Sequence, residues 1–133
     1  MKTIFFLAAL MFTQAIIAEE YFLEFYKTCS TTGNKLDFKC KKSKSERVLI
    51  FTENNKWYGK NSEKGTGSIW ELSIVKSDQH VLILDNPVFF SGTSVIHLMK
   101  TAGNFYWSEF AYSEILKEME GTVRYGKISK INK

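Results

Sequence analysis

The chain is poor in proline, cysteine and histidine: its 133 residues include one proline, two cysteines and two histidines. One proline and eight glycines exclude a collagen-like or low-complexity chain, and 44% hydrophobic residues exclude intrinsic disorder. Two cysteines are too few for a miniature scaffold held by several disulfides, so a hydrophobic core must supply most of the stability of a single domain. No apolar run approaches the ~20 residues that a membrane-spanning helix needs. No Asn-x-Ser/Thr acceptor for glycosylation occurs either, which fits a bacterial periplasmic setting.

The first eighteen residues read as an export signal. Lys2 precedes an apolar run from Ile4 to Phe12, followed by Thr13-Gln14-Ala15-Ile16-Ile17-Ala18 and the charged pair Glu19-Glu20. A basic start, an apolar stretch too short to span a bilayer and a small residue before the cut define a secretory signal peptide over 1–18, cleaved after Ala18. Cleavage after Ala15 is the alternative, because Ile16 is large for its position. The folding domain is then 19–133. Loss of Lys2 lowers the net charge of the whole chain, +4, to +3. The expected compartment is periplasmic or extracellular, with no membrane span after cleavage.

An oxidising compartment gives the two cysteines a partner in each other. Between Tyr21 and Lys41 the chain alternates as a hairpin should: Tyr21, Leu23 and Phe25 share one face with Cys29, and Leu36 and Phe38 share one with Cys40. Thr31-Thr32-Gly33-Asn34 supplies the turn. A structural disulfide Cys29–Cys40 is expected, whereas metal or redox pairs favour the tighter Cys-x-x-Cys spacing.

Short strand-like segments then recur between turn residues: Val48–Thr52, Trp57–Gly59, Ile69–Val75, Val81–Asp85, Val88–Phe90, Val95–Lys100 and Phe105–Tyr112. Val48-Leu49-Ile50-Phe51 and Val81-Leu82-Ile83-Leu84 are apolar at consecutive positions, which predicts cover on both faces. Ser113 to Gly121 has a capping serine, an early acid, apolar residues at 115, 116 and 119 and a glycine stop, which predicts a two-turn helix. Thr122–Tyr125 reads as the last strand, with a bulge at Gly126. The fold class is all-β: a small antiparallel meander, a closed or nearly closed barrel of about eight short strands with one short helix near the C-terminus. A β-sandwich or an α+β arrangement is the alternative.

The chain carries little recognisable chemistry. His80 and His97 lack the spacing and further ligands of a zinc site, so no metal is assigned, and His97 is expected in or near the core beside Val95 and Met99. There is no Gly-x-Ser-x-Gly elbow and no cofactor motif; Gly65-Thr66-Gly67 reads as a turn. Carboxylates for a hydrolase would come from Glu24, Glu71, Asp85 and Glu109. Of these Glu109 stands out, because aromatic neighbours would desolvate it if it pointed inward.

Lysines concentrate at Lys39, Lys41, Lys42 and Lys44 with Arg47, and Arg124, Lys127, Lys130 and Lys133 end the chain. The first group supplies candidate contacts to an anionic surface, although loop lysines are ordinarily just solvated. Aromatics are abundant, and adjacent ones such as Trp57-Tyr58 and Tyr106-Trp107 must face opposite sides of a strand, so some are exposed or line a cavity. Trp57, Tyr58, Tyr106, Trp107 and Glu109 are the candidate ligand- or partner-binding residues. The leading expectation is an exported, non-catalytic β-domain that binds a ligand or protein partner through an aromatic surface or cavity. A small periplasmic hydrolase using carboxylates near Glu109, and an inhibitor of an exported enzyme, are the competing expectations.

Overall fold

The computed structural model describes residues 18–33, 37–44, 46–61, 68–87, 92–115 and 117–131. The expected strand Val88–Phe90, the Gly65–Gly67 turn and most of the export signal lie outside them. Nine strands form: β1 (Glu20–Thr32), β2 (Lys39–Lys42), β3 (Arg47–Glu53), β4 (Lys56–Asn61), β5 (Ile69–Ser77), β6 (Val81–Asp85), β7 (Gly92–Met99), β8 (Asn104–Ser113) and β9 (Glu118–Lys130). All pairings are antiparallel. They run β1-β3-β4-β5-β6-β7-β8-β9 and return to β1, which closes an eight-stranded barrel. β2 is an extra strand: β3 pairs with the first half of β1 and β2 with its second half.

Local chemistry sets the turns at one end. Asn54 and Asn55 both have positive φ, 50° and 64°, which is the backbone of a two-residue type I′ hairpin and suits asparagine. At the β5–β6 turn the Asp78 carboxylate accepts the N–H groups of His80 and Val81, each at 2.8 Å. These two backbone bonds hold the Asp78 carboxyl below its ordinary pKa. Lys100, from the β7–β8 turn, donates to the Asp78 carbonyl at 2.8 Å and lies 3.9 Å from Glu19. Glu19 in turn accepts from the Tyr21 hydroxyl. Short, cross-bonded turns therefore seal this end.

Above that seal the interior is hydrocarbon. Leu23, Ile50, Leu82, Leu84, Ile96 and Leu98 are fully buried with Phe105, and Tyr21, Phe25, Val48, Trp57, Leu72 and Trp107 complete the core. An eight-stranded barrel is just wide enough for side chains to fill. Gly126 marks one tight spot, since a Cβ there would lie 1.9 Å from the Glu24 carbonyl and 2.6 Å from the Phe105 ring.

Four expectations need correction. No helix occurs among the described residues: Ser113 pairs with Glu118, so the β8–β9 ladder extends into the segment expected to be helical. Two helical turns have little stability of their own, and Ile115 and Met119 find nothing to bury against, being 93% and 45% exposed. The bulge is not at Gly126 but opposite it, at Tyr26, where the β1–β9 register shifts between Phe25 and Lys27. That extra residue reverses the alternation of β1, so Cys29 faces outward with Val123 while Tyr21, Leu23 and Phe25 face inward. The disulfide Cys29–Cys40 forms all the same, because the two residues are direct cross-strand partners. Finally, β3 and β6 are covered on one side only: Leu49, Phe51, Val81 and Ile83 are half-buried on the outer face, where Phe51 stacks on Tyr58 at 5.7 Å.

Candidate ligand-binding site at the barrel mouth

At the end opposite the seal the usual pattern inverts. Cross-strand partners share a face, so the register places Glu109 and Ala111 of β8 inward with Thr122 and Glu120 of β9, and Arg124 inward with Trp107. Beyond the Tyr26 bulge, β1 contributes Thr28 and Ser30 to the same inner surface. β7 contributes Ser94, which is fully buried. The outward positions here are the apolar ones: Phe110, Tyr112, Met119 and Val123. Polar side chains line the inside of the mouth and apolar ones coat its outside.

Arg124 organises this surface. Its guanidinium bonds the Glu109 carboxylate at 2.7 Å, with the two side chains 30% and 18% exposed. It also stands over the Trp107 ring, 5.5 Å from the centroid, in cation–π geometry. The Trp107 indole N–H donates to the Ser94 hydroxyl at 3.0 Å. Trp70 lies against Trp107, with centroids 6.4 Å apart, and spreads over Gly59, where any Cβ would meet the indole at 2.4 Å. Among the described residues the buried Trp70 indole N–H has no hydrogen-bond partner.

An open groove of about 350 Å³ adjoins Arg124, lined also by Thr28, Lys41, Lys42, Ser43, Lys44 and Glu46. The Thr28 and Ser43 hydroxyls bond each other at 2.6 Å. Neither Lys41, Lys42 nor Lys44 has a carboxylate within 4 Å among the described residues. The groove therefore sets four cations against one acid, Glu46, with Glu109 behind Arg124.

The sequence-derived residues divide between two faces. Trp57 is buried in the sealed half, while Trp107 and Glu109 belong to the mouth. Tyr58 and Tyr106 face outward, Tyr58 against Phe51 and Tyr106 edge-on to Tyr125 at 5.1 Å. Of the basic group, Lys41, Lys42 and Lys44 reach the groove; Lys39 and Arg47 are exposed outside its lining. Of the acids considered, Glu24, Glu71 and Asp85 occupy outward register positions, and Glu71 pairs with Lys56 at 3.0 Å. Glu109 alone among them faces inward, and its neighbour is a guanidinium rather than a second carboxylate.

His97 sits on the outer face opposite Tyr106, half-buried, instead of in the core, since Ser94, Ile96 and Leu98 are the inward residues of β7. His80 bonds Gln79 and Thr101 in an exposed turn. No cluster of three metal-ligating side chains occurs among the described residues. Sequence reading missed Ser94, Thr28 and Ser43, and it grouped Arg124 with a basic tail. In Thr122-Val123-Arg124-Tyr125 the apolar residues are the outward ones, so alternation alone assigns Arg124 to the wrong face.

Fold and site together define a closed antiparallel barrel with an apolar, turn-sealed half and a polar, basic mouth. Compared with protein-family models, with curated proteins and with solved structures, the chain matches none.

Proposed function

We propose that this chain is an exported, non-catalytic barrel that binds a small ligand at its mouth. The observation that carries the reading is the inward-facing set Arg124, Glu109, Trp107 and Ser94 beside an open groove. A barrel selected for stability alone would continue its hydrocarbon filling to the rim, and departures from consistent patterning mark functional sites. A volume of about 350 Å³ suits a small molecule. Export is supported by the signal-like segment 1–18 and by a disulfide, which persists in oxidising compartments.

Two arrangements favour binding over hydrolysis. Carboxylate catalysis needs two acids flanking one bond, and the partner of the Glu109 carboxylate is the Arg124 guanidinium rather than a second carboxyl group. Ser94 bonds the Trp107 indole rather than a histidine base. Native mass spectrometry of the oxidised protein, purified from its own medium, tests the reading. A small molecule retained by the wild type and lost in Trp107→Ala supports it. Retention of that molecule by the variant, or a wild type that takes up no small molecule from a metabolite extract, overturns it.

The outer strip formed by Phe38, Phe110, Tyr112 and Ile115 supports a second reading, contact with a protein partner. Phe38 meets Phe110 edge-on at 6.5 Å, and these side chains are 37–93% exposed.

A further inference from the structure

We infer that the groove beside Arg124 receives the phosphate- or sulfate-type oxyanion of a small ligand, held by Lys41, Lys44 and Arg124. The inference rests on the mouth being the binding site and adds the chemistry of what binds there. Charge balance points to it first. Lys41, Lys42, Lys44 and Arg124 face one acid across the groove, Glu46, while Glu109 takes part of the Arg124 charge. The surplus of two to three positive charges matches a dianion better than a single carboxylate, and a phosphate monoester carries about −1.5 to −2 at neutral pH.

Donor geometry points the same way. Arg124 is held by Glu109 on one side and by the Trp107 face beneath, so its orientation is fixed before a ligand arrives. One contact to Glu109 leaves most of its five N–H donors for an oxyanion. Thr28 and Ser43 share one hydrogen bond between two hydroxyls, so one hydroxyl hydrogen remains for a further acceptor. These donors and three ammonium groups surround one groove.

A structural role for the lysines accounts for only part of this. Among the described residues β2 pairs with β1 alone, and lysines on an edge strand deter pairing with other chains. Edge protection needs neither Lys44, which lies beyond the strand, nor an arginine on the inner face of β9. A long polyanion fits less well than a small ligand, because the β8–β9 hairpin that forms part of the rim carries Glu114, Glu118 and Glu120 and interrupts any continuous basic track.

Titration of the oxidised protein with inorganic phosphate, inorganic sulfate, phenyl phosphate and phenol, followed by tryptophan emission and calorimetry, tests the inference. Phenyl phosphate should bind saturably one to one and perturb emission, since Arg124 lies on Trp107. The exposed pair K41Q/K44Q should weaken binding at least tenfold with an unchanged melting temperature. R124K should also weaken it, because the forked donors are lost while the charge is kept. Whichever of phosphate and sulfate binds more tightly identifies the oxyanion. Unchanged affinity in K41Q/K44Q overturns the inference, as does binding confined to a heparin-like polymer. Equal affinity for phenol and phenyl phosphate overturns the anion site while leaving a ligand-binding mouth; no binding by either, together with no retained molecule in native mass spectrometry, removes both.

Discussion

At the end where β1 begins, the barrel interior is hydrocarbon and the connecting turns are short and cross-bonded through Asp78, Lys100 and Glu19. At the other end the same strands present Glu109, Arg124, Thr122 and Ser30 inward and Phe110, Tyr112 and Met119 outward. On β8 and β9 the pleat runs unbroken and only the side chains assigned to each face are exchanged, whereas on β1 the Tyr26 bulge reverses the alternation. A barrel can therefore hold its stability in one half and keep half-buried polar groups, bonded to one another, at the other. Desolvated polar groups lower stability, so the mouth depends on the seal.

The sharpest way to separate the halves is Leu98→Ala, which removes a fully buried side chain from the sealed half. Urea unfolding should show a loss of about 3 kcal/mol, while affinity at the mouth, measured well below the unfolding midpoint, stays the same. Reducing Cys29–Cys40 attacks the mouth instead. The bond joins residues eleven apart and ties β2 to β1, so its loss should lower stability by up to about 3 kcal/mol. Here binding should fall together with stability, since Lys41 leaves its position; retained affinity in the reduced protein would show that β2 is dispensable to the groove.

Ser94→Ala probes the boundary between the halves. It leaves the Trp107 indole N–H buried without its acceptor, at a cost of about 1–2 kcal/mol in urea unfolding. The smallest effect is at the seal. Burial, followed by the hydrogen bond to Glu19, raises the Tyr21 pKa above its ordinary value of about 10. A raised folded-state pKa gives stability that is complete below the unfolded value and is lost as pH rises through the folded one. Above about pH 10 the wild type should lose stability faster than Tyr21→Phe, read as melting temperature against pH; parallel curves would contradict the assignment.

The sealed half was legible in the sequence because its strands obey one rule. In Tyr21-Phe22-Leu23-Glu24-Phe25 and Trp70-Glu71-Leu72 the inward residues are the alternating apolar ones, and the turn residues Asn54-Asn55 sit where positive φ is needed. The mouth breaks that rule. Thr122 and Arg124 face inward while Val123 and Tyr125 face outward, and one bulge at Tyr26 turns Cys29 from the inner face to the outer. A reading that places apolar residues inside makes the wrong assignment at each of these positions. The helix expected over Ser113–Gly121 failed for a related reason: its signals are local, and the β8–β9 ladder, which continues to Ser113 and Glu118, outweighs them. Aromatic density draws attention to Trp107 and Glu109, but nothing local in the sequence brings Arg124, fifteen residues beyond Glu109, into contact with both.

Hydrogen–deuterium exchange with and without phenyl phosphate tests most directly the claim that the seal stabilises and the mouth binds. In the free protein, β6 and β7 should exchange only through global unfolding, and β2 through local opening. Added ligand should slow exchange at Lys41, Lys42, Ser43 and Lys44 and around Arg124 while leaving Phe110, Tyr112 and Met119 of the outer strip unchanged. Protection that appears on that outer strip, or a β2 as protected as β6 in the free protein, would contradict the account.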